Sequence, residues 1–322
     1  MIDRIGRRID YLRVSVTDRC NLRCRYCAPP GSLVQAFPDV LTADEIAKVV
    51  GVGRDRGVVH VRLTGGEPLV RPDILSIVSR VKSLGIPDLS MTTNGMYLTE
   101  LAGPLKRAGL DRVNVSLDSL SPEVFREVTG NGDVNKVLAG IRAALEAGLN
   151  PVKVNVVVMA GVNETEVEDL ARLSLDMPVS VRFIEVMPIG PDAETNGASA
   201  VPVESIRSRL GTLGTLEPAN EGAGAGPAQV YRLAGAPGTV GFIAALSEPF
   251  CASCNRLRLT ADGKLRPCLA SDVEVDLLPA LRGGNTEHDL ASAFAEALHL
   301  KPRGHELSLR HPSSRRMCQI GG

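Results

Sequence analysis

The sequence predicts an α/β fold in which successive parallel strands can close into a complete or an incomplete barrel. Between Tyr11 and about Ile184, short β-branched runs alternate with helical patterns, which is the signature of repeated βα units. The chain has 322 residues, more than a single core usually carries. One large barrel with an appendage and two separate domains are both compatible with this length.

Six strands are predicted in this part of the chain: YLRVSV (11–16), VHVRLT (59–64), LSMTT (89–93), RVNVSL (112–117), VKVNVVV (152–158) and VSVRFI (179–184). The first helix runs from 43 to about 52, because apolar residues recur at helical spacing and Thr42 and Glu45 have the spacing of a capping box. Gly51 and Gly53 are expected to weaken its end. Further helices are expected near 73–84, 98–108, 133–147 and 163–175.

The pattern changes after Pro191, where strand and helix no longer alternate. Glu221–Pro227 (EGAGAGP) is typical of a loop. Beyond it, QVYRL, TVGFI and NRLRLT are predicted as short strands, Ala261–Lys264 as a hairpin turn and 287–300 as a helix. We therefore divide the chain into a core at 1–227 and a C-terminal region at 228–322.

Composition excludes several classes of protein. The net charge is −1 and aromatic residues make up 3% of the chain, so a basic, aromatic-rich surface for nucleic acid is not expected. The apolar runs are far shorter than the roughly 20 residues of a membrane helix. The N-terminal MIDRIGRRID lacks the apolar core of a signal peptide. We expect a cytoplasmic protein, in which clustered cysteines indicate metal ligands or redox groups.

Three of the seven cysteines lie within eight residues, just after the first predicted strand. Cys20, Cys24 and Cys27 form the spacing C-x3-C-x2-C, which we call the first triad. Structural zinc is nearly always bound by four ligands, whereas three thiolates on a tight loop suit a [4Fe–4S] cluster with one iron left open. A zinc loop that borrows a distant ligand is the alternative.

This loop resembles that of the radical S-adenosylmethionine (SAM) enzymes, with Tyr26 as the aromatic residue before Cys27. The resemblance implies that the open iron binds SAM and that reductive cleavage of the sulfonium gives a 5′-deoxyadenosyl radical. GGEP, at Gly65 to Pro68, matches a family element that contacts the amino group of SAM. An isolated GGEP could be any strand-to-helix turn, but two glycines suit close approach by a ligand.

Cys251, Cys254 and Cys268 form C-x2-C-x13-C, the second triad. A zinc knuckle completed by Cys318 or a histidine is one interpretation. In a chain that resembles a radical enzyme, a second incomplete set suggests instead a second [4Fe–4S] cluster with an iron free to bind substrate. Cys318 is then a spare thiol, and the histidines, including His60, His305 and His311, need no special role.

The two triads, TDRCNLRC (17–24), CNRLRLT (254–260) and the terminal Gly-Gly together resemble the GTP 3′,8-cyclase family of molybdenum cofactor biosynthesis, from Tyr11 to Gly322. The resemblance implies an incomplete (β/α)6 barrel of the TIM type with a C-terminal extension that carries the second cluster. GTP would lie between the two clusters and be converted to (8S)-3′,8-cyclo-7,8-dihydro-GTP. In this family the Gly-Gly tail reaches into the active site.

The resemblance also assigns roles to residues. The residues expected to carry the chemistry are Cys20, Cys24, Cys27, Arg256 and Arg258. SAM is expected to contact Tyr26, Gly66, Ser116 and Met187. GTP is expected to contact Arg13, Arg62, Thr93, Lys153, Arg256 and Arg258. A triphosphate requires such inward-pointing cations, and Arg256 and Arg258, two apart in a strand, share one face.

Family membership implies further partners: an electron donor such as flavodoxin or ferredoxin, and a downstream cyclic pyranopterin monophosphate synthase. Members are often dimers, so a homodimer is an expected state. A radical SAM peptide maturase with an auxiliary cluster is the runner-up, but it usually carries more cysteines and has no use for triphosphate-binding cations. A zinc-stabilised nucleic-acid-binding protein is the third interpretation, and the composition disfavours it.

Overall fold

A computed structural model describes residues 1–28, 36–190, 200–220, 226–283, 286–305, 307 and 313–321. Residues 221–225 of the predicted loop, His311 and the terminal Gly322 lie outside the described residues. Within the described ranges, no helix is both long enough and apolar enough to cross a membrane.

The six predicted strands are confirmed, and each agrees with its predicted bounds to within one residue. They are β1 (Tyr11–Ser15), β2 (His60–Thr64), β3 (Asp88–Thr93), β4 (Arg112–Ser116), β5 (Val152–Val158) and β6 (Val179–Glu185). Each pairs in parallel with the next, so they follow chain order across the sheet. This is the arrangement that a barrel of βα units requires.

Later parts of the chain add strands on both sides of these six. β9 (Thr239–Ile243) pairs in parallel with β6, and β10 (Arg256–Leu259) pairs in parallel with β1. Antiparallel strands continue the sheet outward: β8 (Gln229–Leu233) and β7 (Leu216–Pro218) on one side, β11 (Lys264–Arg266) and β12 (Val275–Asp276) on the other. Because β7 and β12 form the two ends of the described sheet, the barrel is open.

The helices of the described residues are α1 (Ala43–Asp55), α2 (Ile74–Ser83), α3 (Leu98–Ala108), α4 (Pro122–Thr129), α5 (Val134–Glu146), α6 (Val167–Asp176), α7 (Val203–Leu210), α8 (Leu278–Arg282), α9 (Thr286–His299) and α10 (Met317–Ile320). The capping box of α1 is confirmed, since Thr42 and Glu45 exchange hydrogen bonds of 3.2 and 2.8 Å. The expectation that α1 ends near 52 is wrong. The helix continues to Asp55 through Gly53, which is buried beside Phe294 of α9, so the two glycines do not end it.

Strand alternation separates an apolar face from a polar one. On the face covered by helices, residues such as Val14, Leu63, Met91, Val154 and Val181 are buried in one hydrophobic core. The opposite face, which lines the barrel interior, carries polar and charged side chains at the alternate positions: Arg13, Arg62, Thr92, Asn114, Lys153, Asn155 and Arg182. The core therefore lies between the sheet and the helices, and the interior is left for a polar ligand.

A charged network at the start of β2, β3 and β4 joins neighbouring strands. Asp88 accepts two hydrogen bonds from Arg112, of 2.7 and 2.6 Å, and one of 2.8 Å from His60. Burial alone would raise the pKa of Asp88, but the hydrogen bonds from His60 and Arg112 outweigh it and hold the pKa well below its usual range. The carboxylate therefore favours the folded state wherever it is ionised.

We expect Asp88→Asn to lower the free energy of unfolding by about 3 kcal/mol at pH 7, because Arg112 is left buried without its carboxylate. Since the pKa is depressed in the folded state, this difference should shrink as the pH falls below about 4, the usual pKa of an unfolded Asp. Urea unfolding of both proteins across this pH range measures it.

Asp55→Asn is the matched control. Its partner Arg54 is at 2.7 Å, but both side chains are largely exposed, so the cost should stay below about 0.5 kcal/mol. Equal costs for the two variants would show that the buried network does not stabilise the sheet.

Candidate active site

One cavity occupies the polar interior of the barrel. Its strand-borne lining comes mainly from alternate residues of β1 to β6. The polar ones are Tyr11, Arg13, Arg62, Thr92, Asn114, Ser116, Asn155 and Arg182, and the apolar Val157 and Ile184 continue the alternation toward Glu185. Arg256 and Arg258 of β10 line it too, whereas Leu257 between them is buried in the hydrophobic core. This is the alternation predicted for that strand.

The two triads lie at opposite ends of this cavity. The loop of the first triad follows β1, at the carboxyl end of the parallel strands. Cys251 and Cys254 precede β10, which is parallel to β1, so they lie at the amino end. Cys268 joins them because it follows β11, which runs antiparallel to β10. All three cysteines of the second triad line the cavity, and on the other side Tyr26 lines it next to Cys27.

Backbone hydrogen bonds hold the loop of the first triad. Arg23 and Arg25 donate their N–H groups to the carbonyls of Thr129 and Val128, at 2.8 and 2.9 Å, at the end of α4. Within the loop, the N–H of Cys27 donates to the carbonyl of Cys24 at 3.0 Å. These backbone hydrogen bonds therefore fix the conformation of the cysteine loop.

GGEP is the second support of this loop. The N–H groups of Gly66 and Glu67 donate to the carbonyls of Thr17 and Arg19, at 2.7 and 2.8 Å. A Cβ atom on Gly66 would lie 2.3 Å from the carbonyl oxygen of Arg19, closer than any side chain can come. Glycine is needed here because the backbone of GGEP packs directly against the start of the cysteine loop. Gly66 does not itself line the cavity among the described residues.

Glu67 explains the position of Thr93. Its carboxylate accepts hydrogen bonds from the Thr93 hydroxyl at 2.7 Å and from the Asn94 N–H at 2.6 Å, and burial raises the pKa of Glu67 to about 7. Thr93 is thus directed to GGEP, and its neighbour Thr92, on the other face of β3, lines the cavity instead. The structure does not bring Thr93 to the predicted GTP site.

The thiols of the first triad are in a low-dielectric environment. Burial raises the pKa of Cys20 to about 11 and raises the pKa of Cys24 well above its usual value. A hydrogen bond with the Cys318 thiol, together with burial, raises the pKa of Cys27. Such thiols stay protonated until a metal displaces their protons, which suits ligands of an iron–sulfur cluster better than free nucleophiles.

The residues expected to contact SAM lie beside this loop. The Tyr26 hydroxyl donates to Asp118 at 2.9 Å, and burial raises the pKa of Asp118 to about 6. Tyr26, Ser116 and Met187 all line the same part of the cavity, since Ser116 ends β4 and Met187 follows β6.

Arginine side chains line the middle of the cavity. Strand register sets Arg13 beside both Arg62 and Arg258. Burial, followed by the nearby Arg258 and Arg62, lowers the pKa of Arg13, and burial lowers the pKa of Arg62 and of Arg258 to about 10 each. Buried cations side by side repel one another, so an anion bound among them would be strongly favoured.

Several polar atoms of the lining also have no hydrogen-bond partner among the described residues. Thr92 Oγ1, Asn114 Oδ1 and Asn155 Oδ1 are buried and have no hydrogen-bond partner within the part of the chain that the structure describes. An unpaired buried polar atom is costly, and a bound polar molecule would relieve that cost. Lys153, which is fully buried, lies two residues before Asn155 on the same face of β5 but is not part of the lining.

The C-terminal tail closes one side of the site. The Arg258 guanidinium donates to the carbonyl of Gly321 at 2.6 Å. Gly321 has φ of 67°, and a Cβ atom there would lie 2.4 Å from Thr64 Oγ1. Arg315 anchors the tail through two bonds of 2.9 Å to Asp262. Because Cys318 lies against Cys27, it is at the first triad and does not complete the second.

Sequence reasoning missed two cations of this site, Arg182 and Lys301. Arg182 stands at a cavity-facing position of β6, and alternation along VSVRFI could have identified it. Lys301 follows α9, far from the cysteines in sequence, and no pattern in the sequence links it to the second triad. Among the described residues, no three His, Cys, Asp or Glu side chains converge closely enough to hold a single metal ion.

Comparison with known proteins identifies the class to which this fold and site belong. The sequence model of the Radical SAM superfamily matches residues 14–174, and that of Molybdenum Cofactor Synthesis C matches residues 179–307. The chain is a member of the radical SAM superfamily, and as such it uses SAM and an iron–sulfur cluster.

Full-length relatives narrow the family. The chain is 48% identical to the GTP 3′,8-cyclase of Moorella thermoacetica and 50% identical to that of Heliobacterium modesticaldum, in each case over 100% of both chains. It belongs to the GTP 3′,8-cyclase family.

Solved structures confirm the fold. SuiB of Streptococcus suis bound to SAM superposes with a TM-score of 0.57 at 15% identity, over 89% of this chain and 68% of that chain. SuiB bound to the precursor peptide SuiA gives 0.58 at 15% identity, over 98% and 77%. At this identity the likeness concerns the fold alone.

Gly66→Ala should disturb the first triad, because its Cβ would push the start of the cysteine loop away from GGEP. In a chain with the second triad replaced by alanine, we expect the variant to bind less than half of the iron bound without the Gly66 change after anaerobic reconstitution. Iron and sulfide analysis measures this.

Gly51→Ala is the matched control, since a Cβ there would have no described neighbour within 4 Å outside its own helix. It should leave the bound iron unchanged. Full iron binding by Gly66→Ala would mean that GGEP does not support the loop.

Proposed function

We propose that this chain is a radical SAM enzyme that converts GTP to (8S)-3′,8-cyclo-7,8-dihydro-GTP, the first step of molybdenum cofactor biosynthesis. One observation carries the proposal: a single cavity extends from Tyr26, beside the first triad, to the second triad and holds a group of buried arginines in between. The names of the full-length relatives support the same activity and favour it over a peptide maturase.

Two [4Fe–4S] clusters are part of the proposal. Cys20, Cys24 and Cys27 would hold the first, and Cys251, Cys254 and Cys268 the second. When bound and reduced, the first cluster would supply the one electron that cleaves the sulfonium of SAM to methionine and a 5′-deoxyadenosyl radical. The two triads fit [4Fe–4S] clusters, since each offers three thiols and would leave one iron without a protein ligand.

Tyr26, Gly66, Ser116 and Met187 would bind SAM. Tyr26, Ser116 and Met187 line the cavity beside the first triad, and Gly66 holds GGEP against the cysteine loop. Asp118 fixes the Tyr26 ring through its hydroxyl, so this side of the site is ordered before a ligand enters. Preorganisation of this kind reduces the entropic cost of binding.

The arginines would bind the triphosphate of GTP. Arg13, Arg62 and Arg258 lie side by side, and Arg182 and Arg256 extend the group along the cavity. Lys153, deeper on β5, adds a further cation. Thr93 stays a prediction that the cavity geometry does not support, and Thr92 is the better candidate.

Positioning is the main contribution of these residues to selectivity. A primary radical removes whichever hydrogen is nearest, so the enzyme must hold the ribose with C3′ toward the SAM side. Cations on the triphosphate fix one part of GTP. The side-chain oxygens of Asn114, Asn155 and Thr92, which have no hydrogen-bond partner among the described residues, can hold the ribose and base by hydrogen bonds.

The remaining parts of the proposal concern partners and organisation. The reductant would be a flavodoxin or ferredoxin, and cyclic pyranopterin monophosphate synthase would consume the product. We propose a cytoplasmic enzyme that forms a homodimer. Residues 1–227 would form the radical SAM core, and 228–322 would supply the second cluster, the substrate cations of β10 and the tail.

The deciding experiment is an anaerobic assay. The protein is reconstituted with iron and sulfide, given dithionite, SAM and GTP, and analysed for 5′-deoxyadenosine and cyclised GTP by chromatography with mass detection. Both products, from a protein with about eight irons and no zinc per chain, are expected. Deoxyadenosine with unchanged GTP would retain the radical chemistry but reject the substrate.

Two substitutions should separate the roles within the site. Cys24→Ala should abolish deoxyadenosine formation because it removes a cluster ligand. Arg256→Ala should leave cluster content unchanged but weaken GTP binding about tenfold or more, the usual cost of a lost charge-assisted hydrogen bond.

Equilibrium binding of GTP and product formation at several GTP concentrations measure the second effect. Arg107→Ala, on the exposed side of α3, is the control and should match the wild type. Wild-type GTP affinity and turnover in Arg256→Ala would remove that residue from the substrate site.

A further inference from the structure

A buried lysine lies directly against the second triad. Lys301 is 4% exposed and follows α9. Its ammonium donates to Cys254 Sγ at 3.6 Å, to the carbonyl of Arg256 at 2.8 Å and to the carbonyl of Pro267 at 2.7 Å. An ammonium has three N–H groups, so these three acceptors use all of them. The charge is therefore held at the triad, at the edge of the cavity that Lys301 also lines.

The three acceptors belong to the two segments that carry the second triad. Arg256 comes two residues after Cys254, and Pro267 comes just before Cys268. One ammonium thus joins the segment before β10 to the segment after β11. Loss of this contact would remove one of the links between two cysteine-bearing segments, which the pairing of β10 with β11 also joins.

We propose that Lys301 is a positioning residue of the second cluster, which holds Cys254 and raises the reduction potential of the cluster bound there. The inference rests on the proposed second cluster. Reduction of a cluster adds one electron and makes it more negative, so a nearby cation and an N–H to sulfur hydrogen bond stabilise the reduced form.

Arg7 offers a contrast in the same place. It is 8% exposed and donates to the carbonyls of Cys251 at 2.9 Å and Pro302 at 2.7 Å. Its charge is paired with Asp3 at 2.6 Å, and within the described part of the chain its other side-chain hydrogen bonds go to backbone carbonyls rather than to sulfur. Arg7 therefore secures the same loop without the electrostatic effect that we assign to Lys301.

The test is a redox titration of the second cluster, followed by electron paramagnetic resonance. The full-length enzyme is compared with a chain in which the first triad is alanine, so that each signal is assigned to one cluster. Lys301→Met removes the charge and the donors, and Lys301→Arg keeps the charge. The matched control combines Arg7→Met with Asp3→Asn, which removes a neutral buried ion pair from the same place. Dithionite with redox mediators is the reductant.

We expect Lys301→Met to make reduction of the second cluster at least tenfold less favourable, which corresponds to about 59 mV for one electron. The first cluster should keep its potential. Lys301→Arg should recover most of the shift. The control with both Arg7→Met and Asp3→Asn keeps the net charge and should leave the potential of the second cluster unchanged.

An unchanged potential in Lys301→Met, with both clusters present, would overturn the inference. If Lys301→Met fails to take up the second cluster, uptake by Lys301→Arg and by the control with Arg7→Met and Asp3→Asn would support the positioning role. Equal loss in all three would overturn it. A wild-type protein with zinc, or with only about four irons, would instead refute the proposed function itself.

Discussion

Burial of cations in the barrel interior is the constraint on which the rest of the site depends. Alternation along β1 to β6 turns the apolar residues toward the helices, where the hydrophobic core forms, and turns Arg13, Arg62 and Arg182 inward. Buried charges of one sign raise the free energy of the folded protein unless a ligand or hydrogen bonds compensate. The helix-covered face must therefore supply the stability, and the interior is available for an anionic substrate.

The direction of the strands then separates the two cysteine groups. Because β10 pairs in parallel with β1, the loop that follows β1 and the loop that precedes β10 cannot lie at the same end of the sheet. The first triad is held at the carboxyl end by GGEP and α4, and the second at the amino end by contacts with Arg7 and Lys301. A substrate bound between them can meet different chemistry at each end.

Local patterns predicted much of this arrangement. Three features depend only on residues close in sequence: the six strands, the capping box of α1 and the shared face of Arg256 and Arg258. Local sequence patterns were therefore sufficient to predict them. Which of Thr92 and Thr93 faces the cavity depends on the hydrogen bond from Thr93 to Glu67, a tertiary contact. Lys301 contacts Cys254 across 47 residues of chain, so no local pattern could predict this contact. Gly53 is buried beside Phe294 of α9, and α1 continues past it although its glycines predicted an earlier end.

Arg258 links the C-terminal tail to the substrate site. It lies beside Arg13 in the sheet, it lines the cavity, and one of its N–H groups donates to the carbonyl of Gly321. A guanidinium has five N–H groups, so the same side chain can hold the tail and an anionic ligand together. The conformation of Gly321 and its close approach to Thr64 bring that carbonyl within reach. A larger residue at position 321 would separate the tail from Arg258. Arg258 would then lose one of the hydrogen bonds that orient its guanidinium toward the cavity.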